Sequence, residues 1–448
     1  MAAPRPRPPG YVCTECGATS AKWLGRCTEC GSWGTVVERS AAGPANRVDA
    51  AAVPDDRRAV PITKLASDHA VYWPTGIGEF DRVLGGGIVP GAAMLLSGEP
   101  GVGKSTLLLE LAARIASTGA RVLYVSAEES TSQVRLRAER TGALQPTLYL
   151  ASESDLATIL GHIEQVDPML FIADSIQTIA SADVSSLAGQ PSQVREVASA
   201  LIRIAKDRNL PTVIIGHVTK DGQVAGPRLL EHLVDVVAHV EGDRQTSLRF
   251  VRTLKNRYGA TDEVGCFEMT GDGMTEVADP SSLFLAQRGA PVSGTCVTVA
   301  LEGRRAMAVE IQALVVKTSA PNPRTVTNGV DSSRVAMLVA VLQQRLSLNF
   351  AGHDVYVSTM GGMRLVEPGA DLAIATALAS ALMNRPAKPR SVVIGEVSLV
   401  GEIRPVTQQR MREAEATRVG LTDVVDASLE TVHAAIGRAL LPAAPRGE

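Results

Sequence analysis

Between about residues 71 and 275, short unbroken apolar runs alternate with stretches of helical spacing. The runs are AAMLLSG (92–98), RVLYVSA (121–127), MLFIADS (169–175), PTVIIGH (211–217) and VDVVAHV (234–240). Runs this short, rich in Val, Ile and Leu and without polar alternation, predict strands buried on both faces. Positions 107–117 and 194–208 carry apolar residues at helical spacing. Strands separated by helices predict an α/β fold with a mostly parallel sheet. A second block, 285–440, mixes strand patterns (309–317 and 354–360) with helical ones (331–346, 370–383 and 408–418) and predicts an α+β domain. Ahead of both, residues 35–70 are rich in Ala, Pro and charge with no period, the pattern of a linker, and residues 11–34 hold a cysteine cluster.

Composition narrows the function classes. Aromatic residues make up only 3% of the 448, so the cores must be built from Val, Leu, Ile and Ala. The longest candidate apolar helix, 372–383, has 12 residues, short of the roughly 18 that a membrane span needs. The N-terminus, MAAPRPRPPG, lacks the apolar segment of a signal peptide, so a cytoplasmic chain with no membrane contact is expected. A net charge of −3 excludes a polycation, so any nucleic-acid site must be a local patch or a lined channel.

Cys13-x-x-Cys16 and Cys27-x-x-Cys30 are separated by ten residues, and each pair is followed by glycine, Gly17 and Gly31. Two such knuckles supply four sulfurs for a closed tetrahedral Zn²⁺ site, with no position left open for chemistry. So short a module buries little core, so the metal must supply most of its folding free energy. Disulfides or a redox pair are the competing readings. Partner or DNA docking is the expected role. Cys266 and Cys296 stand alone and are expected in the core.

Gly98-Glu99-Pro100-Gly101-Val102-Gly103-Lys104-Ser105-Thr106 matches GxxxxGK[ST] between a predicted strand and a predicted helix. Backbone N–H groups of such a loop approach ATP phosphates, the lysine reaches the β- and γ-phosphates, and the Ser105 hydroxyl is expected on Mg²⁺. Asp174 closes the strand pattern at 169–173 and is the expected second acidic contact to Mg²⁺; helix capping is the alternative. Glu128 and Glu129 follow the strand at 121–127, where a carboxylate can orient or deprotonate the attacking water; Glu128 is preferred. His217 ends another strand, placed either to sense the γ-phosphate or to serve structure. Lys255 and Arg257 lie two apart on an extended segment and project the same way. In a ring they could act as fingers on the neighbouring subunit's phosphates; a surface cation pair is the alternative.

These motifs, in this order, resemble the RadA/Sms family of bacterial DNA-repair and recombination ATPases. The resemblance spans nearly the full length: the paired CxxC, TGIGEFDRVLGGG (75–87), GEPGVGKST (98–106) and KNRYG (255–259), where the family usually has KNRFG. It implies a RecA-like ATPase core, with Lys255 and Arg257 in the family's signature motif. It also implies a homo-hexameric, DNA-stimulated motor that works on single-stranded and branched DNA beside the RecA recombinase and promotes branch migration. The final block resembles the proteolytic domain of the Lon protease, most clearly at ADLAIATALAS (370–380) and GEVSLVGEIRPV (395–406). Aligned there, the nucleophilic serine falls on Gly369 and the lysine on Arg410. Glycine offers no nucleophile and arginine does not give up its proton, so a protease-like platform without activity is expected.

DNA contacts are expected from loops after the central strands, at 180–193 and 220–228 with Lys220 and Arg228, and from Arg304, Arg305 and Arg324. Two other function classes compete: an ATP-dependent serine protease, opposed by Gly369 and Arg410, and a nucleotide-switched DNA-binding scaffold, opposed by the acidic pair and the cationic fingers.

Overall fold

The computed structural model describes residues 10–38, 58–64, 72–217, 228–242, 247–285 and 290–442. The chain divides into two compact units, Met1–Asp68 and His69–Glu448. In the first, β1 (Tyr11–Cys13) pairs antiparallel with β2 (Thr19–Ser20) on one side and β3 (Val36–Glu38) on the other. Its core is Cys13, Cys27 and Val36, with Tyr11, Ala18 and Leu24 packed against them.

The second unit opens with α1 (Gly78–Leu84), β4 (Ala93–Gly98), α2 (Lys104–Ser117), β5 (Val122–Ser126), α3 (Thr131–Arg140) and β6 (Leu148–Ser152). It continues through α4 (Leu156–Val166), β7 (Leu170–Asp174), α5 (Pro191–Asp207), β8 (Thr212–His217), α6 (Arg228–Glu231) and β9 (Val236–Glu241). Three antiparallel strands then extend the sheet: β10 (Leu248–Asn256), β11 (Val264–Thr270) and β12 (Gly273–Glu276). The order across it is β12-β11-β10-β9-β4-β8-β7-β5-β6, and every pairing from β9 to β6 is parallel. Every residue of β4, β5 and β7 is buried, as unbroken apolar runs require. Alternate residues face opposite cores: Met94 and Leu96 meet α1 and α2, while Ala93 and Leu95 meet α4 and α5. Helix α5 starts on Pro191, whose fixed φ suits the first turn, and buries Val194, Val197, Ala198, Leu201 and Ala205 along one stripe.

After α7 (Ser281–Phe284), β13 (Thr295–Glu302), β14 (Arg305–Lys317), β15 (Thr325–Asn328) and β16 (His353–Thr359) form a second sheet in the order β13-β14-β16-β15, with α8 (Ser332–Leu346) between β15 and β16. Helix α9 (Asp371–Met383) is buried along nearly its whole length and packs on β13 and β14. Two small ladders complete the block: β17 (Ser391–Val393) with β20 (Asp423–Val425), and β18 (Glu396–Val397) with β19 (Ile403–Arg404). Helices α10 (Gln409–Arg418) and α11 (Val432–Ala439) flank them. A hairpin knits the two sheets together. Arg305 is buried, pairs with buried Glu79 of α1 and donates to the carbonyls of Val264 (3.1 Å) and Ala278 (2.9 Å). Arg252 of β10 meanwhile bridges Glu241 (2.9 Å) and Glu302 (2.5 Å).

Candidate nucleotide site and metal centre

Strands β4, β8, β7 and β5 are neighbours and run parallel, so their carboxyl ends share one edge. That edge is where open α/β sheets bind ligands. The phosphate-loop motif follows β4. Gly98 and Gly103 have φ of 154° and 112°, and a Cβ would sit 2.6 Å from the Val240 carbonyl at the first and 2.4 Å from a Met274 methyl at the second. Only glycine fits that backbone. Helix α2 begins at Lys104 with no side chain capping its first turn, so its N–H groups are open to an anion. Lys104 is buried and donates to the carbonyls of Gly98 and Glu99, both at 2.9 Å. Burial pulls its pKa down to about 8, against the opposing pull of Asp174 and Glu128.

Asp174, at the end of β7, is buried, which raises its pKa; hydrogen bonds from Tyr124 and Ser105 oppose that rise. The Ser105 hydroxyl and the Asp174 carboxylate therefore already face each other. Of the acidic pair, Glu129 is engaged elsewhere, in an ion pair with Arg137 on α3. Glu128 faces the site: one of its oxygens accepts from Ser175 Oγ and lies 3.3 Å from His217 Nε2. The His217 contact is the main cause that lowers the Glu128 pKa, so this carboxylate stays charged at neutral pH. Sequence reasoning missed Ser175 and Tyr124. Ser175 could have been found, since it directly follows Asp174 at a strand end; Tyr124 lies mid-strand and looks like core.

Lys255 and Arg257 lie at the opposite edge. Lys255 donates to the carbonyls of Glu231 (2.7 Å) and Val234 (2.8 Å), and Arg257 pairs with Asp235 at 3.0 Å. The Asp235 amide donates to Ala93, at the start of β4, whereas the phosphate loop leaves from Gly98. Five residue steps at about 3.3 Å put roughly 16 Å between those ends, well beyond one arginine's reach.

Several expected contacts change. Arg305 is buried in its pair with Glu79 and cannot touch DNA, whereas Arg304 and Arg324 are exposed. The stretch 180–193 is not a loose loop: Gln193, on α5, bonds Ser181, Val184 and Ser186 and ties it down. Lys220 lies outside the described residues, as does the side chain of Arg228. Near Gly369 the structure brings up a guanidinium other than that of Arg410. Arg410 is exposed, and the guanidinium beside Gly369 belongs to Arg412, whose Nη1 lies 3.2 Å from where a Cβ would stand. Arg412 is fully buried, pairs with Glu367 and donates to the Val299 carbonyl at 2.6 Å.

In the first unit, Cys13 and Cys30 place their sulfurs 3.7 Å apart, Cys16 and Cys27 3.6 Å, and all four lie within 4.8 Å of one another. Sulfurs about 2.3 Å from a central tetrahedral ion stand roughly 3.8 Å apart, so the four thiols fit a tetrahedral metal site. The Gly17 and Gly31 amides donate to the carbonyls of Cys13 (2.9 Å) and Cys27 (3.0 Å), closing the two knuckles. Cys266 and Cys296 are buried in the second unit and belong to no metal cluster among the described residues.

Comparison with known proteins adds two domain assignments. The AAA domain model matches residues 79–223, and the rubredoxin metal binding domain model matches residues 11–38. Among solved structures, a KaiC-like protein from Pyrococcus horikoshii is 19% identical and aligns with a TM-score of 0.40 over 46% of this chain and 99% of its own. DNA repair protein RadA of Mycolicibacterium smegmatis is 50% identical over 93% of this chain and 90% of its own length. The protein of that name from Bacillus subtilis is 44% identical over 93% and 91%. Identity of this order along nearly the whole of both chains shows common descent, and the chain belongs to the family of DNA repair protein RadA.

Proposed function

We propose that this chain is a DNA-dependent ATPase of recombinational repair that turns hydrolysis into movement along DNA. The observation that carries the reading is the convergence of Lys104, Ser105, Asp174 and Glu128 on the carboxyl edge of four adjacent parallel strands. Lys104 would leave the carbonyls of its own loop to meet the β- and γ-phosphates of ATP, while Ser105 and Asp174 hold Mg²⁺. The metal supplies charge that offsets the negative charge growing on the phosphoryl oxygens. Glu128, with one oxygen held by Ser175 and His217, turns the other to a water, orients it and takes its proton.

Lys255 and Arg257 would serve the phosphates of a neighbouring copy in a ring, a homo-hexamer by the family resemblance, acting on single-stranded and branched DNA beside the RecA recombinase in the cytoplasm. Four thiolates at tetrahedral spacing favour Zn²⁺ in the first unit. The second sheet would act as an assembly platform with no protease activity, because the buried Arg412–Glu367 pair stands beside the position of the serine nucleophile.

Phosphate release measured with and without single-stranded DNA tests the reading. Wild type should be stimulated by DNA. Lys104→Ala should lose at least ~100-fold, since an oriented cation on the transferring group is worth about 3 kcal/mol in the transition state. Turnover by Lys104→Ala close to wild type would remove the nucleotide-site assignment.

A further inference from the structure

The metal-binding unit spends its largest apolar side chains on solvent. Its core is three small residues with three more leaning on them, yet Trp23 and Trp33 are 65% and 76% exposed. Only one other tryptophan exists in the chain. A module this starved of core would bury an indole if folding alone set its use, because full burial of a side chain that size stabilises by a few kcal/mol. Their placement needs another cause.

The two rings share one surface. The point a Cβ would take on Gly25 lies 3.8 Å from the Trp23 six-membered ring and 4.0 Å from that of Trp33, so Gly25 is a bare floor between two indoles. The platform is fixed. Gly34 donates to the Gly25 carbonyl at 2.8 Å, and Arg26 and Trp33 face each other across an antiparallel bridge. Arg26 Nε donates to the Gly31 carbonyl at 2.7 Å, which holds its guanidinium 5.7 Å from the Trp33 ring centre. Lys22, next in sequence to Trp23, is exposed. A protein-docking patch would add aliphatic neighbours to the rings, but Val37 is the only other large apolar residue exposed among the unit's residues 10–38. The surface instead offers two π-faces, a glycine floor and two cations, the combination that stacks unpaired bases and holds their phosphates.

We propose that Trp23 and Trp33 form a stacking platform for single-stranded nucleic acid, flanked by Lys22 and Arg26 as phosphate contacts. The proposal rests on the reading of the chain as a DNA-dependent ATPase and adds to it a second place where DNA is held. Bases of any identity stack there, so the contact carries little sequence preference.

The test uses the full chain carrying Trp73→Phe, so that all tryptophan emission comes from the two platform rings. Titration with oligo(dT) should quench that emission, and an abasic phosphodiester of equal length should quench it far less. In the same chain, Trp23→Ala/Trp33→Ala should weaken oligo(dT) binding by on the order of 10-fold or more, while Trp33→Phe keeps most of it. The zinc-to-protein ratio of the alanine pair should match wild type, which shows that the ribbon stays folded. Hydrolysis at saturating DNA should persist.

Equal quenching by the abasic strand makes the contact one of charge alone and overturns the proposal. So does an alanine pair that binds oligo(dT) like wild type, including one that loses a protein partner instead. These results leave the ATPase reading intact. If the unsubstituted chain neither binds DNA nor responds to it, that reading itself falls, so the two failures are distinct.

Discussion

Replacing Arg257 with alanine separates action within one subunit from action across two. The Arg257 side chain is 56% exposed, and its partner Asp235 keeps Lys206 and the Ala93 amide once Arg257 is gone. The loss of one half-exposed pair should cost about 1 kcal/mol or less in stability, so the variant folds. Its guanidinium stands at the end of the sheet where β4 begins, five residues from Gly98, so it cannot reach the phosphate loop of its own chain. If it touches nucleotide at all, it does so across an interface. An arginine finger of that kind is worth on the order of 10³-fold in stimulated turnover. The variant should therefore bind ATP as wild type does and lose DNA-stimulated hydrolysis by that factor. Mixed one to one with Lys104→Ala, it should regain activity, because random assembly pairs an intact loop with an intact finger at about one interface in four of a head-to-tail ring. The assay is phosphate release across mixing ratios, with each variant alone as baseline. No recovery at any ratio would refute action in trans, and full activity of Arg257→Ala alone would remove the finger altogether.

Other outcomes follow from the site. Burial holds the Lys104 pKa at about 8, and phosphates favour its ammonium, so ATP binding should take up protons above about pH 8 and none near pH 6.5. Calorimetry in two buffers of different ionisation enthalpy measures that uptake, and its absence at pH 8.5 would contradict the assignment. His217→Ala removes the main contact that lowers the Glu128 pKa, so the carboxylate protonates more readily and the acid limb of the pH–rate profile should move to higher pH. An acid limb that stays put or moves lower would exclude Glu128 as the base. Cys27→Ser should empty the metal site and unfold residues 10–38 while basal hydrolysis persists, read by metal analysis and phosphate release. A metal-free wild type would refute it.

The parts of the fold legible in the sequence are those set by one local cause. β4, β5 and β7 are buried on both faces, so their apolar runs are unbroken, and the phosphate loop follows from glycines whose φ no other residue adopts comfortably. The cysteine knuckles are legible for a similar reason: two short pairs, each with a glycine behind it. What stayed hidden depends on partners far apart in the chain. Arg305 looks like a surface cation until Glu79, more than two hundred residues earlier, meets it. Arg410 and Arg412 sit two apart on one helix, and only its rotation decides which enters the core. The polar stretch 180–193 reads as solvated because nothing local reveals that Gln193 turns back to hold it.

The stretch 75–87 lies outside the phosphate loop, yet it is tied into the fold on several sides. Its helix α1 is a joint among three parts. The Val83 carbonyl accepts from Thr253 (2.7 Å) and the Leu84 carbonyl from Asn256 (3.1 Å), both on β10, the strand that carries Lys255 and leads to Arg257. Glu79 accepts from the Cys266 amide on β11 at 2.9 Å and pairs with Arg305 of the second sheet. A buried ion pair adds little net stability, since desolvating both charges offsets their attraction, but separating its partners costs about 3–5 kcal/mol. Such a contact resists partial opening. Helix α1 is therefore bonded on one side to β10, the strand that leads into the Lys255–Arg257 segment, and on the other to the second sheet. In the ring proposed above, a displacement imposed on those two cations would be expected to reach the second sheet through Asn256, Leu84, Glu79 and Arg305 in turn.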